Sequence, residues 1–283
     1  MSTMNGKVCI VTGSNSGIGK ETALTLTGME ATVIMAVRNL ERGNVARAEI
    51  VKETGRSTIE VMLCDLASIN SIRHFTEVFL AKYDRLDVLI NNAGAAFHKR
   101  ETTDDGHEKS IAVNYLGPFL LTRELLPVLN KSAPSRIINL SSGLHHRATI
   151  DFEDIQNEHN YKGMNAYESS KLMVMMYTYE LARRLEGTGV TANVVLPGFV
   201  ATNLGRNMGG LRYRIMFGMA RPFQINAKRG AETSVYVATS PELEKISGRC
   251  FTKSQEILSS EASHDRQVQK RLWEVTEEIL GLK

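Results

Sequence analysis

The stretch KVCIVTGSNSGIG, residues 7–19, decides how this chain is built. Lys7–Thr12 is a short apolar, β-branched run that stops at a glycine, as a buried parallel strand does. Gly13, Gly17 and Gly19 follow in GxxxGxG spacing, and Gly17–Thr27 reads as a helix. The same strand–helix alternation continues outward. Ala31–Val37, Thr58–Cys64, Leu86–Asn91, Ser135–Ser141, Val190–Leu196 and Gly248–Lys253 read as six further strands. Between and after them, Leu40–Thr54, Ser68–Tyr83, Gly106–Asn130, Ala166–Glu186, Ala227–Thr239 and Asp265–Leu280 read as helices, the third bent near Gly117-Pro118. Such alternation implies right-handed crossovers and a doubly wound, seven-stranded parallel sheet covered by helices on both faces.

No composition shift, repeat or linker divides the 283 residues, so one α/β domain over 1–283 is expected. Two segments interrupt the alternation, 143–165 and 203–226. Each follows the C-terminal end of a strand, where open α/β sheets bind ligands, and each is expected to cover a substrate. The second carries Leu211, Ile215, Met216, Phe217, Met219 and Phe223, an apolar set suited to a lipophilic molecule.

With 34 basic and 31 acidic residues the net charge is +3, too mild for a nucleic-acid or anionic-membrane partner. No run approaches the roughly 20 apolar residues of a membrane span, and the polar start lacks a signal peptide, so a cytoplasmic protein without a transmembrane segment is expected. Cys9, Cys64 and Cys250 are odd in number and far apart, which fits buried free thiols. No metal site is expected, and His145-His146 read as loop or surface histidines.

The glycine loop Gly13-Ser14-Asn15-Ser16-Gly17-Ile18-Gly19 lets the backbone approach a pyrophosphate, which the N-terminus of the following helix attracts. The second strand ends Val37-Arg38-Asn39, with no carboxylate for a ribose 2′-hydroxyl. Arg38 can pair with a 2′-phosphate, so NADP(H) is expected in preference to NAD(H), and aspartate at position 37 is expected to reverse the choice. Asp65-Leu66 and Asn91-Asn92-Ala93-Gly94 end the third and fourth strands on the same edge and are candidates to line the cofactor. Asp65 suits an adenine amino group, and Gly94 a close backbone approach.

Tyr167 and Lys171 stand four residues apart, on one helical face. A nearby ammonium stabilises a phenolate and lowers the tyrosine pKa, which makes a general acid/base. Ser142, after the fifth strand, is placed to hydrogen-bond a substrate oxygen, and Asn114 to hold a proton-relaying water. Met173, Met175, Met176 and Tyr177 on the same helix suit packing or subunit contacts.

These motifs together resemble the short-chain dehydrogenase/reductase family: TGSNSGIG at 12–19, DL at 65–66, NNAG at 91–94, VN at 113–114, SS at 141–142, YESSK at 167–171 and PG at 197–198. The long stretch from Ser142 to Tyr167 and ELARRLEGTGVTANVVLPGFV at 180–200 resemble its retinol dehydrogenase-like branch, and Glu30 stands where the family often has glycine. The resemblance implies a Rossmann fold and hydride exchange between nicotinamide C4 and a small-molecule alcohol or carbonyl. It implies an Asn114–Ser142–Tyr167–Lys171 tetrad. It further implies cofactor contacts from Tyr167, Lys171, Pro197, Gly198, Val200 and Thr202, the last near the carboxamide, and a homodimer or homotetramer. A non-catalytic NADP(H)-binding regulator or scaffold is the alternative, and it would not need four intact catalytic positions.

Overall fold

The computed structural model describes residues 3–198 and 225–282. Eight strands form one sheet: β1 (Val8–Thr12), β2 (Thr32–Val37), β3 (Ile59–Leu63), β4 (Val88–Asn91), β5 (Ser135–Leu140), β6 (Val190–Val195), β7 (Cys250–Thr252) and β8 (Gln255–Ile257). Their order is β3-β2-β1-β4-β5-β6-β7-β8. The first seven are parallel, as the alternation required, and β1 pairs with both β2 and β4. The chain reverses direction across the sheet between β1 and β4, which opens a crevice at the strands' C-terminal ends.

β8 is antiparallel to β7 and was not expected. Thr252 pairs with Gln255, so Lys253 and Ser254 make a two-residue turn, both at positive φ (49° and 58°). That geometry normally selects Asn-Gly or Asp-Gly, and a Lys-Ser pair gives no such signal in the sequence.

Among the described residues the α-helices are α1 (Gly17–Gly28), α2 (Leu40–Thr54), α3 (Ile69–Lys82), α4 (Lys109–Ile111), α5 (Gly117–Lys131), α6 (Gly163–Arg184), α7 (Ala227–Thr239) and α8 (Arg266–Ile279). A π-helical turn, Ala112–Leu116, joins α4 to α5. The irregularity expected at Gly117-Pro118 therefore lies one turn earlier, and Pro118 opens α5, where its missing N–H costs nothing. Asn39, Ser68 and Asp265 cap α2, α3 and α8 with their side chains.

Side chains alternate across β1 into two cores. Ile10 faces a layer with Ile34, Phe75, Leu89, Phe119, Ile137 and Leu172, covered by α3, α5, α6 and α8. Cys9 and Val11 face Leu26, Val33, Met35, Ile90 and Val195, covered by α1, α2 and α7. All three cysteines are buried free thiols. Glu30 adopts φ 75°, the left-handed region that explains a glycine preference there, and its carboxylate is held by Thr3 and Arg56.

α6 is buried along most of its length, from Ala166 to Leu181. α8 covers one side of it: the Trp273 ring centroid lies 5.8 Å from that of Tyr177 and 4.8 Å from that of Phe119. Met173, Met175, Met176 and Tyr177 thus serve packing within one chain.

Candidate active site

The glycine loop turns at Gly13 (φ 65°) and Gly17 (φ 58°). A Cβ at Gly13 would meet the Ala93 backbone at 2.9 Å, and one at Gly19 would collide with Asn92 Nδ2. The loop is thus closed against the chain after β4. Thr12 stitches the two: its hydroxyl accepts from the backbone N–H groups of Asn92 and Ala93, both at 3.0 Å, and its carbonyl accepts from Asn92 Nδ2 at 2.8 Å. Ser14 is buried and donates to the Val11 carbonyl at 2.9 Å, so its hydroxyl holds the turn. Ser16, exposed, starts α1 with no side-chain cap, and Asn15 and Ile18 are half-buried beside it. The first N–H groups of α1 are therefore left to an external acceptor, and the loop fits a phosphate-bearing cofactor.

Arg38 is exposed and has no acidic partner among the described residues. Val37 is 1 % exposed and packs into the core on the side of α2, where a Cβ at Gly43 would reach its side chain at 2.8 Å. Position 37 is thus closed off by α2, and Arg38 alone of the pair faces the solvent. The Asp65 carboxylate accepts from Ala67 N–H at 3.0 Å in its own turn, and Leu66 is buried against Gly117. Asn91 points inward: its Nδ2 donates to Asn139 and Thr122 in a buried chain of polar groups under the site. Asn92 braces the loop instead, through Thr12. Pro197 and Gly198 follow β6 on the same edge, while Val200, Thr202 and most of 203–226 lie outside the described residues.

Asn114 sits in the π-helical turn, a distortion that recurs at functional sites. Its Oδ1 accepts from Ala95 N–H at 2.7 Å; its Nδ2 donates to the Ala95 carbonyl and to Ser170 Oγ, both at 2.9 Å. Asn114 therefore clamps the chain next to Gly94. Lys171 is buried and donates from Nζ to the Leu140 carbonyl at 3.1 Å. Its Nζ lies 5.7 Å from the Tyr167 ring centroid. Ser142 lies beside Tyr167, near enough to pull on its phenol, whereas Ser141 is turned away and donates to the Lys171 carbonyl at 2.8 Å. The structure thus brings Asn114 and Lys171 together at Gly94, with Tyr167 beside Lys171 and Ser142 beside Tyr167.

The expected depression of the tyrosine pKa is absent from this site. Burial pushes the Tyr167 phenol up to about 12, against the pull of the Ser142 hydrogen bond. Burial also pulls the Lys171 ammonium down to about 8. Both groups are drawn toward their neutral forms because the site excludes water.

The segment 143–165 is packed down. Arg100 Nε donates to the Asn157 carbonyl at 3.0 Å, and Tyr161 donates to the Phe97 carbonyl at 3.1 Å. Leu144, Met164 and Ala96 pack with Tyr167, forming an apolar wall beside the phenol. His145 corrects a sequence expectation: it is fully buried. No metal-binding cluster occurs among the described residues. No helix among them is long and apolar enough to cross a membrane. A solvent-open depression of about 370 Å³, lined by Asn44, Arg47, Thr58, Glu60 and Tyr83, lies beside the starts of β2 and β3, away from these groups.

A doubly wound sheet with a glycine loop at its crevice and a Tyr–Lys helix beside it defines an α/β oxidoreductase of the nicotinamide-dependent class. A family model described as short chain dehydrogenase matches residues 7–210. The chain is 44 % identical to retinol dehydrogenase 11 of Mus musculus and 42 % identical to retinol dehydrogenase 12 of Homo sapiens. Each match covers 98 % of this chain and 87 % of the relative. Among solved structures, an uncharacterised protein from Mycobacterium paratuberculosis superposes with TM-score 0.81 at 29 % identity, covering 99 % of this chain and 96 % of that one. A blue fluorescent protein from a metagenomic library, in complex with NADPH, superposes with TM-score 0.69 at 26 % identity, covering 88 % and 97 %. The chain belongs to the short-chain dehydrogenase/reductase family, in its retinol dehydrogenase-like branch, and acts on CH–OH/C=O groups.

Proposed function

We propose that the chain is an NADP(H)-dependent oxidoreductase that interconverts a lipophilic alcohol and its carbonyl through Ser142, Tyr167, Lys171 and Asn114. The observation that carries this reading is the contact of Ser142 with the Tyr167 phenol on the helix face shared with Lys171. The nicotinamide, when bound, supplies or accepts the hydride at C4.

Ser142 hydrogen-bonds the substrate oxygen. Tyr167, kept as a phenol by burial, donates its proton to that oxygen as the alcohol forms. The Lys171 ammonium is near enough to stabilise the phenolate left behind and to feed a proton back. Both Asn114 amide protons are already used, so a relaying water would bond the remaining Oδ1 lone pair.

The loop 13–19 would hold the pyrophosphate and Arg38 the 2′-phosphate. Asp65, Leu66, Asn91, Ala93, Gly94, Pro197 and Gly198 would shape the rest of the groove, continued by Val200 and Thr202. The apolar wall of Ala96, Leu144 and Met164 supports a lipophilic substrate, as do the names of the retinol dehydrogenase relatives. Copies pairing as a homodimer or homotetramer would use a face other than the one α8 covers.

The test is turnover of polyene and long-chain aldehydes, aromatic ketones and sugars with NADPH and with NADH. Apolar carbonyls with NADPH are expected to win. Tyr167→Phe is expected to lose about 10²–10⁴ in turnover and to keep NADPH binding. Near-normal turnover in that variant would sink the mechanism.

A further inference from the structure

His145 is buried without any exposed surface, three residues after Ser142. Its Nδ1 lies 2.7 Å from the Ser142 carbonyl oxygen, and its Nε2 lies 3.2 Å from the backbone nitrogen of Ser260. The Ser260 N–H can only donate, so Nε2 is the bare nitrogen. The proton then sits on Nδ1 and is donated to Ser142. One tautomer satisfies both contacts, and burial favours the neutral ring.

Ser260 is itself held in place. Its carbonyl accepts from the Ser263 hydroxyl at 2.6 Å, and the neighbouring Ser259 hydroxyl bonds the Tyr179 phenol of α6 at 2.7 Å. The imidazole is thus a bridge between a turn anchored on α6 and the peptide group of Ser142. Among the described residues the Ser142 side chain has one backbone contact of its own, from Leu144 N–H at 3.3 Å. Its carbonyl also accepts from the His145 backbone N–H at 3.1 Å, and the imidazole adds the shorter bond that fixes the rotation of the residue.

We infer that His145 is a positioning residue, which aims Ser142 at Tyr167 and makes the turn at 259–263 a remote determinant of turnover. The inference rests on the proposed role of Ser142.

Three variants separate the arms of the bridge. In His145→Asn the amide can replace the Nδ1 donor; in His145→Gln it can reach Ser260 but not Ser142 in the same way. Ser260→Pro removes the distal N–H and sets the proline Cδ against the imidazole in its place, while Ser260 already has φ −61°, close to the value proline imposes. His145→Asn is expected to keep most of kcat. His145→Gln and Ser260→Pro are expected to lose about tenfold in kcat, as misaimed reacting groups do, with KM for NADPH unchanged. Thermal melts of the two His145 variants are expected to fall together, so a purely structural histidine would give them equal kcat.

Equal kcat in His145→Asn and His145→Gln, or wild-type kcat in Ser260→Pro, would overturn the inference alone. Full turnover by Ser142→Ala would overturn the reading of Ser142 and this inference with it.

Discussion

Gly94 and Lys171 stand so close that a β-carbon on residue 94 would come within 3.3 Å of the lysine Nζ, and within 3.5 Å of Asn114 Oδ1. The loop after β4 therefore lies directly on the proton-handling groups. Gly94→Ala presses the ammonium back by a few tenths of an ångström and sets a methyl group in contact with the Asn114 clamp. Turnover is expected to fall about tenfold or more. Stability is expected to drop by about 1–3 kcal/mol, as overpacking does. Steady-state kinetics beside urea melts check both; an unaffected kcat would show that Lys171 relocates without cost.

Arg38 is exposed and Val37 is buried, so cofactor choice is tested at the arginine. Arg38→Ser is expected to raise KM for NADPH about tenfold to a hundredfold, the worth of one charge-assisted bond, and to leave KM for NADH unchanged. Melting should not move. Val37→Asp is expected to unfold the domain readily instead of switching the cofactor, because it places a carboxylate in the core under α2. A folded Val37→Asp protein that prefers NADH would reverse this reading.

Proton linkage gives Lys171 a signature in the cofactor-free protein. Its pKa is about 8 in the fold against an ordinary 10.5 for the group. Below pH 8 both states are protonated and the full cost of burying the ammonium is present. Between about 8 and 10.5 the unfolded chain binds the extra proton, so this group makes stability rise with pH. Tyr167 acts oppositely and later, since its pKa of about 12 exceeds the ordinary 10 and stability falls above pH 10. From pH 8 to 10 the wild type should therefore gain about 2 kcal/mol relative to Lys171→Met. The buried cysteines are common to both proteins and cancel in the difference. Parallel stability curves for the two proteins would contradict a buried, easily deprotonated lysine.

Trp273 of α8 is 2 % exposed, between Phe119 and Tyr177, with the Arg184 guanidinium 4.2 Å over its ring. Trp273→Ala is expected to cost about 3–5 kcal/mol. Denaturant titration measures this, and a loss below 1 kcal/mol would mean that α8 rests on α6 without supporting it.

The strand and helix order was legible because a strand buried on both faces reads as an unbroken apolar run, as VCIVT and TVIMAV do. The meeting of Tyr167, Lys171, Ser142 and Asn114 was legible from motif order. What stayed hidden depends on partners distant in sequence or on strand alternation. Ser260 is 115 residues from His145, so nothing local reports that the imidazole is buried. Asn91 and Asn92 are adjacent, but one points into the core and the other braces Thr12, a parity set by how β4 ends. The β7–β8 turn escaped because Lys253-Ser254 accepts positive φ without glycine. The tyrosine pKa could not be read from spacing, since burial outweighs the pull of Ser142.

The cover that α8 places on α6 also has a meaning in time. During synthesis α6 leaves the ribosome well before α8 does, while domains begin to organise from the N-terminal side. Until α8 arrives, the Tyr177 and Phe119 rings that it will cover lie bare, and the nascent chain presents a sticky stripe next to its future catalytic groups. The interval between those two helices is therefore the vulnerable stage in the making of this protein. A stop codon placed in that interval should yield chains that aggregate or are degraded, and never a smaller enzyme.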